Sequence, residues 1–276
     1  MKNLKDKIVL ITGAASGIGR AAALEFATRG SHIIIADIDE KGLADIAREI
    51  SGKGSAVLSI KTDVSKKDEV KSLISKSIEK FGRVDVLVNN AGVGMNSEIR
   101  DMDISDWEWI MGINLWGAIH TIHYLLPHMI EKKSGHIVIV SSAVGLVSYV
   151  PIQAAYTTTK FALVGFSEVL RTELERFGIG VTVICPGAIK TPFFQTTKLK
   201  GFKSDVMDFI PDSFFGTPGG AAKEIVKGVI KNKAVVVVTP LAKFIFILHR
   251  ISPAISRFIS RMNMKKFLRY KTEVRR

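Results

Sequence analysis

The stretch KIVLITGAASGIGRAAALEF, from Lys7 to Phe26, joins a short apolar run to a helical pattern through a glycine-rich turn. The apolar run predicts a buried strand, and Gly13, Gly17 and Gly19 let the backbone turn tightly before the helix begins. Their spacing, G-x-x-x-G-x-G, differs from the general dinucleotide fingerprint G-x-G-x-x-G, but the physics is shared. Unpaired N–H groups at such a helix start attract an anion such as a pyrophosphate. The alternative is a tight turn without a ligand.

Apolar runs and helical patterns continue to alternate as far as residue 240. Seven runs rich in Val, Ile or Leu are typical of strands covered on both faces. Their alternation with helices predicts the α/β class, as a Rossmann-type, doubly wound parallel sheet of about seven strands. No internal linker is evident, so residues 1–240 are predicted to form one domain. Residues 191–218 are too long for an ordinary connection and predict a substrate lid, while residues 241–276 form a basic, amphipathic helical extension.

The composition excludes several classes of protein. The 276 residues are 47% hydrophobic and 24% charged, as in globular proteins, and the single cysteine, Cys185, allows no internal disulfide. We find no signal-peptide pattern and no apolar run long enough to span a membrane. These features predict a cytoplasmic protein, with peripheral membrane attachment left open. The histidines lack paired metal-ligand spacing, so no metal is predicted, and Cys185 is expected to be a buried structural thiol.

Asp37 lies at the end of the second apolar run and bears on the choice of cofactor. A carboxylate at this place can accept hydrogen bonds from adenosine ribose hydroxyls and repels a 2′-phosphate. Ser16, rather than a basic residue, precedes Gly17. Both features predict NAD, with NADP less favoured. The alternative is a solvated carboxylate at a strand end.

Further motifs make the chain resemble the short-chain dehydrogenase/reductase family. They follow the glycine turn in the family's order and at its usual distances. These motifs are Asp63 with Val64, the NNAG run from Asn89 to Gly92, Asn114, Ser142, Tyr156 with Lys160, Pro186 with Gly187, and Thr191. The resemblance covers about residues 5–240 and implies a Rossmann-type fold, a nicotinamide cofactor, oxidoreductase activity and a homodimer or homotetramer.

The resemblance also implies a role for each matching residue. Tyr156 would be the general acid/base, and Lys160 would lower the pKa of Tyr156 and hold the nicotinamide ribose. Ser142 would orient the substrate, and Asn114 would hold a water of a proton relay behind Lys160. The implied cofactor-binding residues are Gly13, Ser16, Gly17, Ile18, Gly19, Asp37, Asp63, Val64, Asn90, Ala91, Gly92, Tyr156, Lys160, Pro186, Gly187, Ile189 and Thr191.

The serine departs from the family's usual spacing. Most members have it thirteen residues before the tyrosine, where this chain has Ala143. Ser142 lies one residue further away, so the loop before Tyr156 is one residue longer. Ser141 is the other candidate, and we favour Ser142.

The chemistry itself explains why a lysine should follow the tyrosine by four residues. Free tyrosine has a pKa of ~10 and is a poor base at neutral pH. Bringing this pKa toward 7 takes ~4 kcal/mol of differential stabilisation. Lys160 lies one helical turn from Tyr156, on the same face, and its ammonium in a partly desolvated cleft could supply much of this stabilisation. The alternative is an ordinary pair on an amphipathic helix.

The lid is rich in phenylalanine, which bears on the substrate. An aromatic lid favours a sizeable apolar alcohol or ketone, such as a steroid, retinoid, lipid or alicyclic compound. The alternative is a lid that packs only on the protein itself. The predicted pocket residues are Met95, Val144, Leu146, Tyr149, Phe193 and Phe194.

The extension carries most of the chain's net charge of +13. Residues 243–276 contain ten Lys or Arg and one acid, Glu273, and apolar residues recur among them at helical steps. Ser252 and Pro253 predict a helix start. A basic amphipathic helix of this kind can lie on a membrane surface. Packing across an oligomer and a solvated tail are the alternatives, and nucleic-acid binding is disfavoured because no recognition motif accompanies the charge.

The sequence thus predicts an NAD(H)-dependent oxidoreductase that interconverts a secondary alcohol and a ketone. The alternatives are an NADP(H)-dependent carbonyl reductase of the same family and a non-catalytic dinucleotide-binding protein acting as a scaffold or at a membrane surface.

Overall fold

A seven-stranded parallel sheet forms the centre of the molecule. The computed structural model describes residues 1, 3–148, 150–206 and 211–272. Its strands are β1 (Ile8–Thr12), β2 (His32–Asp37), β3 (Val57–Lys61), β4 (Val86–Asn89), β6 (Gly135–Val140), β7 (Ile179–Cys185) and β9 (Val235–Val237). Their order across the sheet is β3-β2-β1-β4-β6-β7-β9. The predicted α/β class and doubly wound sheet are confirmed.

Helices cover both faces of this sheet. On one face lie α1 (Gly17–Thr28), α2 (Glu40–Ser51) and α8 (Pro218–Lys231), and on the other α3 (Lys67–Phe81), α5 (Gly117–Lys132) and α6 (Ala154–Glu175). Within β1, Val9 and Ile11 belong to the first core, whereas Ile8 and Leu10 belong to the second. Because successive side chains of a strand point to opposite faces, both cores require apolar residues. This explains why the strands read as unbroken apolar runs.

The strand order reverses direction between β1 and β4, near the middle of the sheet. The glycine turn follows β1, and Asn90 follows β4. In doubly wound sheets a ligand crevice opens at such a reversal, outside the carboxyl ends of the strands. The topology therefore brings the two motifs together at one edge.

The helical stretch before β6 is less regular than the sequence pattern indicated. Helix α4 (Ile104–Met111) continues through a π-helical turn (Gly112–Trp116) into α5. A π-helical turn inserts one residue into the hydrogen-bonding pattern of a helix and is common at functional sites. Asn114 lies at its centre.

The predicted lid is partly ordered by a second, smaller sheet. Within it, α7 (Phe193–Thr196) leads into β8 (Lys198–Leu199), which pairs in parallel with β5 (Met95–Asn96). Lys198 N donates to Gly94 O at 3.0 Å, and Lys200 N donates to Asn96 O at 3.1 Å. The sequence pattern indicated neither of these two-residue strands.

The C-terminal extension forms two helices, α9 (Pro240–Ile251) and α10 (Pro253–Phe267). The predicted start of α10 is confirmed, with Ser252 at the N-cap and Pro253 at the first position, although the Ser252 side chain makes no capping bond. Phe267, at the end of α10, is 1% exposed and packs against Ile152, Phe202 and Val206. The extension therefore contacts its own lid, which the sequence analysis did not predict. None of the helices in the described ranges is long and apolar enough to cross a membrane.

Candidate active site

The glycine turn has no room for side chains at the positions that the spacing singled out. Gly13 and Gly17 have φ angles of +65° and +54°, which only glycine adopts readily. A Cβ on Gly19 would overlap the Gly13 carbonyl oxygen. Ser16 occupies the N-cap of α1 without a side-chain capping bond. The turn therefore presents the first backbone N–H groups of α1, where a phosphate would bind.

Two side chains hold this turn against the segment that follows β4. Thr12 Oγ1 accepts hydrogen bonds from the backbone N–H groups of Asn90 and Ala91, each at 3.1 Å. Asn90 Nδ2 donates to Thr12 O at 3.1 Å and to Gly13 O at 2.9 Å. Asn90 and Ala91 were predicted to line the cofactor. Thr12 begins the glycine-turn motif, but the sequence analysis gave it no role, because the motif does not show which backbone groups its hydroxyl meets.

The acidic residues that were predicted to bind the adenosine part of the cofactor are also bound to the backbone. Asp37 Oδ2 accepts from Ala15 N at 3.0 Å, and Asp37 Oδ1 accepts from Asp39 N at 3.1 Å. A carboxylate offers about four lone-pair sites, so Asp37 can still accept ribose hydroxyls. Asp63 Oδ1 accepts from the backbone N–H of Ser65 at 2.9 Å, and Val64 beside it is buried.

Asn114 is buried in the π-helical turn, and its amide group is bonded on both sides. Its Oδ1 accepts from Val93 N at 2.8 Å, while Nδ2 donates to Val93 O at 3.0 Å and to Thr159 Oγ1 at 3.1 Å. Gly92 passes close by, since a Cβ built there would lie 3.2 Å from Asn114 Oδ1 and 3.5 Å from Lys160 Nζ. Asn114 therefore links the segment after β4 to the helix that carries Tyr156.

Tyr156 and Lys160 lie on one face of α6, as their spacing predicts. Lys160 Nζ lies 5.5 Å from the centre of the Tyr156 ring and donates to Val140 O at 3.1 Å. Lys160 is 4% exposed, and burial of its ammonium lowers the Lys160 pKa from 10.5 to about 8. A buried ammonium next to a phenol favours the ionised phenol, which a general base requires.

The two serines after β6 have different surroundings. Ser141 is 3% exposed, and its hydroxyl donates to Lys160 O at 2.8 Å. Ser142 is half-buried, and its hydroxyl makes two long contacts with described residues, donating to Pro186 O at 3.5 Å and accepting from Val144 N at 3.4 Å. The Ser142 hydroxyl is therefore held by longer hydrogen bonds than the Ser141 hydroxyl.

The segment after β7 closes over the glycine turn. A Cβ on Gly17 would lie 3.2 Å from Thr191 Cγ2, so the two residues are adjacent. Gly187 packs against Thr239, and Ile189 is 4% exposed. Pro186 O accepts from Ala143 N at 2.7 Å. These predicted cofactor residues thus lie at the same crevice.

The lid places an aromatic group on the candidate base. The ring centres of Phe193 and Tyr156 are 5.7 Å apart, and Phe194 packs edge-on against both Phe193 and Phe215. Met95 is 1% exposed and belongs to a cluster that includes Tyr156.

The remaining predicted pocket residues lie around the loop after Ser142. Val144 is buried there, and Leu146 packs on a buried cluster with Val164 and Cys185. Tyr149 lies outside the described residues. Burial raises the pKa of the Cys185 thiol to about 12, as for an unreactive thiol. Within the part of the chain that the structure describes, no group of three His, Cys, Asp or Glu residues could hold a metal ion.

Comparison with known proteins matches this arrangement to an established family. The family model described as short chain dehydrogenase matches residues 7–200. The chain is 40% identical over 199 residues to a CLA biosynthesis dehydrogenase/reductase of Lactiplantibacillus plantarum, covering 71% of this chain and 69% of that protein. It is 35% identical over 222 residues to the 3-oxoacyl-[acyl-carrier-protein] reductase FabG of Thermotoga maritima, covering 80% and 89%.

A solved structure shares the fold as well. The crystal structure of a short-chain dehydrogenase/reductase from Burkholderia phymatum in complex with NAD matches with a TM-score of 0.81 and 26% identity, covering 92% of this chain and 96% of that one. The parallel sheet, the glycine turn and the Tyr-x-x-x-Lys helix thus occur together in a chain that the family model covers for most of its length. The chain belongs to the short-chain dehydrogenase/reductase family of oxidoreductases.

Proposed function

We propose that this oxidoreductase interconverts a secondary alcohol and a ketone with NAD(H). The observation that carries the proposal is the position of Tyr156 and Lys160. They lie on one helix face, with a desolvated ammonium beside the phenol ring, next to Gly92 and the glycine turn. NAD, when bound, accepts or supplies the hydride. The protein must then move one proton at the substrate oxygen, and Tyr156 is the group placed to do so.

Each neighbouring residue supports that proton transfer. Lys160 stabilises the Tyr156 phenolate through its ammonium and would hold the nicotinamide ribose. The Ser142 hydroxyl donates a hydrogen bond to the substrate oxygen and so fixes the orientation of the substrate. Asn114 keeps the π-helical turn in register with α6 through Thr159. A cavity of about 10 Å³, lined by Asn114, Asn89 and Thr12 among others, has about the smallest volume that holds one water.

The glycine turn would hold the pyrophosphate, and Asp37 would hold the adenosine ribose. Arg20 and Arg48 line a pocket with Ala15, whose backbone N–H donates to Asp37, and they pair with Glu49 and Asp45. Exposed pairs of this kind are weak, but the carboxylates of Asp37, Asp45 and Glu49 would each repel a 2′-phosphate. These charges support NAD over NADP. An NADP(H)-dependent carbonyl reductase is the alternative.

A sizeable apolar substrate fits the lid best. Phe193 covers Tyr156, and Phe194 and Phe215 extend the aromatic surface. The 3-oxoacyl reductase of T. maritima bears a name that implies an acyl chain beside the reacting carbonyl. We infer a lipid-like, steroid-like or alicyclic alcohol or ketone. A homodimer or homotetramer and a cytoplasmic location stay predictions from the sequence.

Cofactor titration and one conservative variant test the proposal. Following reduced-nicotinamide fluorescence, we expect NADH to bind at least tenfold more tightly than NADPH, a difference of ~1.4 kcal/mol. Tyr156→Phe should bind NADH like the wild type and lose turnover of apolar secondary alcohols. Preference for NADPH would overturn the assignment of Asp37. Undiminished turnover by Tyr156→Phe would overturn the mechanism, and binding of neither nucleotide would favour a non-catalytic role.

A further inference from the structure

Helices α9 and α10 form a hairpin, here called the basic hairpin (residues 240–267), that starts and ends at the candidate site. It starts beside the segment after β7, where Thr239 caps α9 by accepting from Ala242 N at 3.3 Å, and Thr239 also contacts Gly187. His249 Nδ1 lies 2.7 Å from Ser256 Oγ and joins the two helices. Phe267 then ends the hairpin on the lid.

Each helix of the basic hairpin has an apolar face that is open to solvent. On α9 the exposed residues Phe244, Ile247 and Ile251 recur at steps of three and four, and so share a face. On α10 the same steps join three further exposed residues: Ile255, Phe258 and Met262. Phe258 is 63% exposed and Ile251 is 75% exposed. Exposed apolar residues that are clustered on helix faces in this way are typical of an interaction site, whereas single exposed apolar residues are ordinary surface.

Cations accompany the apolar residues, and carboxylates do not. Residues 240–272 contain eight Lys or Arg residues and no Asp or Glu. Arg257, Arg261 and Lys265 follow one another at steps of four on α10, and all three are exposed. Among the described residues, no carboxylate forms a salt bridge with these three. The surface therefore offers apolar side chains flanked by positive charge.

We propose that the basic hairpin docks on an anionic phospholipid surface. Its apolar side chains would enter the boundary between headgroups and acyl chains, while Arg257, Arg261 and Lys265 would contact the phosphates. A second copy of this chain fits less well, because pairing the same surface with itself would bring like charges together. Lipid phosphates supply the negative charge that the surface lacks.

The basic hairpin also determines which part of the enzyme would face the lipid. Two backbone hydrogen bonds, from Lys203 N to Tyr270 O and from Thr272 N to Gly201 O, each 3.0 Å, join the chain after α10 to the lid. Lys271 forms ion pairs with Glu98 and Asp101. Docking would therefore hold the lid near the membrane, where an apolar substrate is dissolved.

Vesicle sedimentation of the full-length protein tests the proposal. The probes are vesicles of phosphatidylcholine alone and of phosphatidylcholine mixed with phosphatidylglycerol. We expect the wild type to sediment with the mixed vesicles and to be released by salt. Ile251→Ser should weaken partitioning roughly tenfold, and the double variant Arg257→Glu/Arg261→Glu should weaken it at least ~30-fold.

Matched variants elsewhere on the surface provide the controls. Ile104 is 74% exposed, close to the value for Ile251, so Ile104→Ser should sediment like the wild type. Lys71→Glu/Lys76→Glu makes the same change in net charge on α3 and should also leave binding intact. The proposal is overturned if the wild type does not bind mixed vesicles, or if these controls lose binding equally. A wild type that ignores vesicles, with an oligomer that Ile251→Ser dissociates in light scattering, would show an interface between copies instead.

Discussion

At the scale of single residues, Lys160 combines its proposed role in catalysis with a cost in stability. Its ammonium is buried, with a pKa of about 8 in the folded protein against 10.5 when exposed. Between these values the unfolded chain binds more protons, so the unfolding free energy should rise with pH in that window. Below about pH 8 the full penalty of burying the charge is present. Functional sites often retain such a cost.

Replacing Lys160 by methionine should therefore stabilise the protein while it abolishes activity. Lys160→Met removes the charge and keeps an unbranched side chain, so we expect the unfolding free energy at pH 7 to increase by about 1–3 kcal/mol. The lost hydrogen bond to Val140 O lowers the gain within this range. Urea denaturation at several pH values measures the change. If the unfolding free energy of Lys160→Met rises between pH 8 and 10.5 as steeply as that of the wild type, Lys160 is not the group responsible.

The adjacent serines allow a second prediction at this scale. Ser142→Ala should lower kcat about 10²–10³-fold, because it removes a positioned donor to the reacting oxygen. Ser141→Ala removes a buried hydrogen bond to Lys160 O and should cost about 1 kcal/mol of stability with a much smaller effect on kcat. Steady-state kinetics and thermal melting of both variants separate these effects. The reverse result would identify Ser141 as the substrate-orienting residue.

At the scale of elements, the contact between α10 and the lid includes a strained residue. Ile152 has a φ of +62°, a conformation that is unusual for a β-branched side chain and costs about 1–3 kcal/mol. Its carbonyl accepts from Ser97 N at 2.7 Å, and its side chain is buried with Phe202 and Phe267. Ile152 lies in the loop between Ser142 and α6. The extension therefore supports the start of the helix that carries Tyr156.

Truncating Phe267 should weaken substrate binding without affecting the cofactor. In Phe267→Ala we expect the KM for a bulky apolar substrate to rise about tenfold, or ~1.4 kcal/mol, because the lid loses the side chain on which it packs. The affinity for NADH, measured by fluorescence, should stay the same. Leu268→Ala is the matched control, since Leu268 is adjacent and 46% exposed. A parallel loss of NADH binding and substrate binding would indicate general destabilisation instead.

The sequence predicted some elements well and others not at all. The seven strands were predictable because burial on both faces demands continuous apolar runs. The π-helical turn was not, because a single inserted residue leaves no periodic signal. The two-residue strands β5 and β8 are too short for a pattern. The contact between Phe202 and Phe267 joins distant segments, and local periodicity carries no information about such pairs.

At the scale of the whole molecule, the candidate site could be located because its motifs follow the sheet topology. Gly13 and Asn90 come directly after β1 and β4, which are neighbours in the sheet. The proximity of Tyr156 and Lys160 was predictable from their spacing of four residues on α6. The roles of these residues remain predictions. The place of the extension could not be deduced, because amphipathic helices suit a membrane, a partner or the same chain equally well. In this molecule one end of the extension packs on the chain itself, while its middle stays exposed.

The contact between the extension and the lid has a consequence for the order of assembly during synthesis. Domains generally fold as units, the N-terminal one first, as the chain emerges from the ribosome. The sheet and the glycine turn within residues 1–240 can therefore form first, whereas Phe202 and Ile152 have to wait for Phe267, which follows Phe202 by 65 residues. A nascent chain can thus have a complete nucleotide crevice before Phe267 is available to pack against its lid. Each molecule should therefore become able to bind the nucleotide before it can recognise a substrate. A chain truncated within α10 should still bind the nucleotide but should no longer recognise the substrate.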